Sequence, residues 1–162
     1  LLMKAVRKHA PEPWVVLYIE RWLKAPAEEA DGTVVERTSG TPQGGVISPL
    51  LANLFLHYAF DVWMARQFPQ LPFERYADDA IVHCRNRGEA EKVWKTVAER
   101  FAECRLEPHS QKTKIVYCKD EDRRENYANQ EFDFPGYTFR PRGSKKSVGQ
   151  DLRQLHSGDL ES

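Results

Sequence analysis

Two adjacent carboxylates, Asp78 and Asp79, stand at the centre of Phe73-Glu74-Arg75-Tyr76-Ala77-Asp78-Asp79-Ala80-Ile81-Val82-His83-Cys84. Carboxylate oxygens are the donors that Mg²⁺ takes. Two of them fixed on one rigid turn suit metal-assisted phosphoryl transfer. An acid–base pair of aspartates more often faces its partner across a cleft. A solvated Asp-Asp turn is the plain structural alternative, and the local sequence leaves both open. A second candidate is Ser39-Gly40-Thr41-Pro42-Gln43-Gly44-Gly45, too rich in glycine and proline for regular structure. Such a loop lets backbone approach a ligand closely. It runs into a helix whose N-terminal N–H groups and dipole favour phosphate. Turn geometry alone also explains many such loops.

The elements that must position these residues follow from pattern. Tyr76, Ile81 and Val82 favour strand, and Ala77-Asp78-Asp79 favours a turn, so the acids are expected at the tip of a β-hairpin. After the glycine loop, Ser48 is expected as N-cap and Pro49 at the first helical position. Leu51, Leu54, Phe55, Tyr58 and Val62 mark an apolar stripe to about Gln67. Upstream, Leu2 to His9 reads as a helix. A second helix begins near Pro13, and Trp14, Leu17, Tyr18 and Trp22 are expected in its core-facing stripe. Asp31-Gly32 reads as a hairpin turn before a strand over 33–37. A helix from about Gly88 to Cys104 should bury Ala90, Val93, Val97, Phe101 and Cys104. Asn86 and Glu89 should form its capping box, and Glu91 should pair with Lys95. Thr113 to Cys118 reads as a strand with Lys112 at its start. Glu131 to Phe134 and Tyr137 to Arg140 read as short strands around Pro135-Gly136. The order implies an α+β fold with helices on one face of a small antiparallel sheet.

Composition sets limits. The chain of 162 residues is long enough for one domain with a real core. Its formal net charge of 0 argues against a strong free-standing nucleic-acid binder. Arg140, Arg142, Lys145 and Lys146 nevertheless form a basic stretch. The three cysteines, Cys84, Cys104 and Cys118, lack metal spacing and read as reduced thiols of a cytoplasmic protein. The apolar run from Val46 to Phe60 is interrupted by Ser48, Pro49, Asn53 and His57, so no membrane span is expected. Both ends read as cut: the chain opens inside a helical pattern, and residues 143–162 read as a polar, disordered tail.

These motifs together resemble the reverse transcriptases of bacterial group II introns, also called maturases. The stretch from Ser39 to Pro49 is similar to the family's nucleotide-pocket motif, and Arg75-Tyr76-Ala77-Asp78-Asp79 to its polymerase motif. Lys112-Thr113 is similar to the downstream lysine motif, and Phe132 to Arg140 to the last palm motif. The resemblance covers residues 1–142 and implies a right-hand polymerase palm. By that resemblance Asp78 ligates both Mg²⁺ ions and Asp79 supports the metal site. Gln43 contacts the incoming nucleotide or templating pair, with Gly44 and Gly45 allowing close approach. Tyr76 lies near the primer end and Lys112 near the triphosphate. The implied reaction is two-metal nucleotidyl transfer onto a primer 3′-hydroxyl, with an RNA template, a DNA primer and a dNTP as partners and intron RNA as a further one.

The departures from the pattern carry their own expectations. The family's third essential Asp and its ribose-screening residue lie upstream of Leu1, so the chain alone is expected to be inactive. The exposed cut edges invite self-association. Pro135 replaces the usual Leu and is expected to weaken or bend its strand. An RNA-binding maturase piece that assists splicing without synthesis is the competing reading from another class. A folded remnant without activity is a third. Retron or diversity-generating reverse transcriptases are alternatives within the enzyme class.

Overall fold

The computed structural model describes residues 1–10, 12–28, 31–35, 45–119, 125–145 and 151–157. The chain divides into two compact units, Leu1–Val82 and His83–Ser162. It is α+β, and its described strands form three separate antiparallel sheets of two, two and three strands, where the sequence reading had a single sheet.

In the first unit, α1 (Leu2–His9) and α2 (Pro13–Lys24) are joined by the Arg7–Glu20 ion pair. Pro13 opens α2, where its missing N–H costs nothing. The core is Val6, Ile19 and Leu51, packed with Leu2, Met3, Val15, Val16, Leu23 and Leu54. This corrects the expected face of α2. Trp14, Tyr18 and Trp22 are 62%, 47% and 48% exposed, and Leu17 is exposed with them. Val15, Ile19 and Leu23 share the same helical spacing and form a rival stripe. Slim aliphatic side chains let helices pack closely, while aromatic rings with a polar atom tolerate water.

Strands β1 (Ala27–Glu28) and β2 (Val34–Val35) pair antiparallel. Their turn has Gly32 at φ 84° and an Asp31 carboxylate accepting from the Thr33 N–H at 2.9 Å. The long central helix has three parts: α3 (Ser48–Leu56), a π-helical segment (His57–Asp61) and α4 (Val62–Gln67). Its N-cap is Ile47, not Ser48, which is the first helical residue. The Gly45 carbonyl accepts from the Ser48 N–H at 3.0 Å and starts the turn one residue early. The predicted stripe holds at Leu51, but further on the buried residues are Ala59, Phe60 and Met64 rather than Tyr58 and Val62. A π turn inserts an extra residue and moves the inner face along the chain. Strands β3 (Phe73–Tyr76) and β4 (Asp79–Val82) close this unit, with Phe73 edge-on to Phe60 at 5.5 Å between ring centres.

In the second unit, α5 spans Arg87–Glu103 and buries Val93 and Val97. Asn86 caps it by accepting from the Glu89 N–H at 2.9 Å, and Glu89 reaches back to the Arg85 N–H at 2.7 Å. Glu91 pairs with Arg87 at 2.7 Å, one turn back, instead of the expected Lys95. Thr113 to Cys118, expected as a strand, is extended without a ladder. Its Thr113 N–H donates to the His109 carbonyl at 2.9 Å and its Tyr117 N–H to the Asn129 carbonyl at 2.9 Å, and the Asn129 side chain donates to the Ile115 carbonyl at 3.3 Å. A strand needs a partner ladder along its length, and no ladder is formed here among the described residues. The third sheet runs β5 (Phe132–Phe134), β6 (Tyr137–Lys145), β7 (Asp151–Ser157). Pro135 sits in the β5–β6 turn, outside the ladder, so it neither bends nor weakens a strand. Residues 143–145 and 151–157, read from sequence as irregular tail, carry strand backbone, because a ladder of main-chain bonds needs no apolar period. Among the described residues no helix is long and apolar enough to cross a membrane.

Candidate active site

The β3–β4 hairpin places the two acids. Tyr76 pairs with Asp79, Arg75 with Ala80, Glu74 with Ile81 and Phe73 with Val82, which leaves Ala77-Asp78 as a two-residue turn. Ala77 has φ 51°, the left-handed region that tight hairpin turns need at their first central position. Asp78 is therefore at the tip, and Asp79 opens β4. Directly opposed residues share a face, so Tyr76 and Asp79 stand together with Glu74 on one side of the hairpin. Phe73 and Arg75 occupy the other side, toward the central helix. Tyr76, Asp78 and Asp79 are all exposed.

Arg75 fixes this hairpin to the helix. Its Nε donates to one Asp61 oxygen at 2.6 Å and its Nη2 to the other at 2.8 Å. Its Nη1 donates to Asn53 Oδ1 at 2.9 Å and to the Ala77 carbonyl at 2.6 Å. Asp61 also meets His57 Nδ1 at 3.3 Å. Burial pushes the Asp61 carboxyl up, but the hydrogen bonds and charge of Arg75, then of His57, outweigh it and hold the group below its ordinary value. The Asp61 bond raises Arg75 in turn, against its burial.

Other expected site residues lie elsewhere. Gly45 precedes α3 in the same unit, half-buried. Gln43 and Gly44 lie outside the described residues. Lys112 belongs to the second unit and is exposed in a turn, with its N–H on the His109 carbonyl at 3.2 Å. It therefore does not begin a strand. Sequence reasoning missed Arg75, Asp61 and Asn53 as supports. The available signals were a charged residue in an apolar strand and polar residues interrupting an apolar helix.

Residues 2–139 match the family of reverse transcriptase (RNA-dependent DNA polymerase). The chain belongs to the reverse transcriptase family. No curated protein matches it. The mixed fold with small antiparallel sheets agrees with the palm-like fold of these polymerases.

Reverse transcriptases use divalent metals, and the donor set can be tested for one. Among the described residues no group of three or more His, Cys, Asp or Glu side chains gathers around a metal position. Asp78 and Asp79 nevertheless offer hard oxygen donors at an exposed tip. Mg²⁺ usually takes one or two carboxylates and completes its shell with water and substrate phosphates. The pair fits Mg²⁺ bound together with a nucleotide.

Proposed function

We propose that the chain is part of a group II intron reverse transcriptase, or maturase, with residues 1–142 as its polymerase part and the β3–β4 hairpin as its metal end. The observation that carries this is the hairpin tip itself: a two-residue turn that exposes Asp78 and Asp79, inside a reverse transcriptase match over residues 2–139. In this reading Asp78 and Asp79 hold Mg²⁺. The bound ions supply Lewis-acid activation of the primer 3′-hydroxyl and charge neutralisation on the triphosphate. Tyr76 flanks the primer end from the face it shares with Asp79. Gln43, Gly44 and Gly45 let backbone approach the dNTP.

A two-metal centre needs more oxygen donors than Asp78 and Asp79 supply, and the one further carboxylate on their hairpin, Glu74, pairs with Ile81 away from the turn. Synthesis by this chain alone is therefore expected to be weak, and the open edges of the two-stranded hairpin should accept a further strand or a second copy. The test is primer extension on an RNA template with a DNA primer, dNTPs and Mg²⁺, with and without a second polypeptide carrying the rest of a palm. Asp78→Asn should lower extension by about a hundredfold or more, the scale of losing one transition-state stabiliser. Extension at the unaltered rate would refute the site. Preferential binding of group II intron RNA over a retron RNA would support the finer family assignment.

One observation favours RNA binding without synthesis as the second reading. Trp14, Tyr18 and Trp22 form an exposed row on α2 beside Arg21 and Lys24. Bases stack on such rings while cations meet phosphates. RNA affinity that survives Asp78→Asn but falls with Trp14→Ala would support it.

A further inference from the structure

The Ala77-Asp78 turn is costly by itself. A non-glycine residue in the left-handed region loses about 1–2 kcal/mol, and strained turns persist only when their surroundings hold them. The surroundings here are specific. Arg75 uses one guanidinium to bind the Ala77 carbonyl, both Asp61 oxygens and Asn53. The Arg75 and Asp61 side chains are only 12% and 21% exposed, so the pair is less screened than a surface ion pair.

The helix is shaped for this grip. Residues eight apart on an α-helix are rotated by about 80°, which would carry Asp61 off the face that holds Asn53. Between them lies the π segment, in which the Val62 N–H reaches the His57 carbonyl five residues back. That wider turn takes up part of the rotation, and His57 braces the Asp61 carboxylate from the same side. Asn53 and Asp61 therefore both reach one guanidinium.

We propose that Arg75 is a positioning residue: through Asp61 and Asn53 it locks the Ala77 turn so that Asp78 and Asp79 present their carboxylates to a divalent cation. The inference rests on the reading of Asp78 and Asp79 as metal ligands. Arg75 does not touch the metal. Its effect is on how well two flexible carboxylates are pre-arranged, as for other residues that orient ligands from behind, where loss costs about tenfold or more in metal affinity.

The experiment is a Mn²⁺ titration of the full chain, read as paramagnetic broadening of the backbone amides of residues 77–80, with thermal unfolding measured in parallel. The unaltered chain should show saturable broadening centred on the turn. Asp78→Asn should abolish it. Arg75→Gln should weaken Mn²⁺ binding by about tenfold or more. Arg75→Lys should weaken it as well, because one ammonium cannot span Asp61 and the Ala77 carbonyl together. Asn53→Ala removes one arm at an exposed position and should give a smaller loss in the same direction, which decides the matter if Arg75→Gln does not fold. If Asp78→Asn abolishes binding while the Arg75 and Asn53 variants bind Mn²⁺ as the unaltered chain does, the positioning role is refuted and the metal site stands. That holds even if those variants melt earlier, since lost stability without lost affinity is a structural role only. If broadening at the turn is absent or survives Asp78→Asn, the metal-site reading fails and the inference with it.

Discussion

The β3–β4 and β5–β6 hairpins both reverse direction over two residues, Ala77-Asp78 in the first and Pro135-Gly136 in the second. Each puts one turn residue at positive φ: Ala77 at 51° and Gly136 at 82°. Glycine adopts that conformation freely, and proline before it has its preferred φ, so the second turn is relaxed. Its strands hold each other, with Phe132 stacked on Phe139 at 5.1 Å and Thr138 donating to Asp133 at 2.6 Å. The first turn has neither glycine nor proline and is held by Arg75 of its own strand, which is anchored outside the hairpin on Asp61 and Asn53 of the helix. A hairpin that only needs to turn can be self-sufficient. One that must place a carboxylate at its tip uses an Asp there and takes its order from a neighbour.

The largest way to break this contrast is Asp61→Ala. It strands a partly buried guanidinium and should cost about 2 kcal/mol, the scale of hydrogen bonds to a charged partner. Urea unfolding followed by circular dichroism measures it, and a cost near zero would make the first hairpin as independent as the second. Acid sharpens the same test. Asp61 titrates below its ordinary value when folded, so its contribution is complete above the unfolded carboxyl range, near about pH 4. It is lost as pH falls through the lower folded value. The penalty of Asp61→Ala should thus shrink as pH falls below about 4.

Gly136→Ala comes next. Nothing lies within 4 Å of the added Cβ, so the cost is backbone strain alone, about 1 kcal/mol. Ala77→Gly should do the opposite at the first turn and raise stability by up to about 1 kcal/mol, while loosening the tip. Amide exchange at Asp78 and Asp79 reports the loosening, and unchanged exchange would mean that Arg75 alone sets the turn. The smallest effect is expected from Thr138→Val, about 0.5 kcal/mol from one cross-strand pair, with no change in exchange at the first hairpin.

Local signals carried much of this fold. The acid hairpin, the Asp31-Gly32 turn, the Asn86 cap and the Pro135-Gly136 reversal were legible because each depends on a few neighbouring residues. Choices between equivalent patterns were not. The two stripes of α2 have the same period, and only contact with α1 and α3 decides that Ile19 goes inside and Trp14 outside. The π segment has no composition signal, so every inward position after His57 moved. For the site, Asp78, Asp79 and Tyr76 were legible as a group on one hairpin. Asn53 and His57 were visible only as interruptions of an apolar run. Their use appears once Arg75, over a dozen residues downstream, folds back against Asn53 and against Asp61, which His57 meets.

The exposed rings of α2 have a consequence for spectroscopy. Of the four tryptophans, Trp14, Trp22 and Trp94 are exposed and Trp63 is half-buried. An indole already in water emits much as it does in an unfolded chain. Intrinsic fluorescence should therefore be red-shifted in the native state and change little on denaturation. The same rings make it a sensitive reporter of contact: a nucleotide base or an aromatic partner laid against Trp14 or Trp22 would quench emission while the backbone signal in circular dichroism stays still.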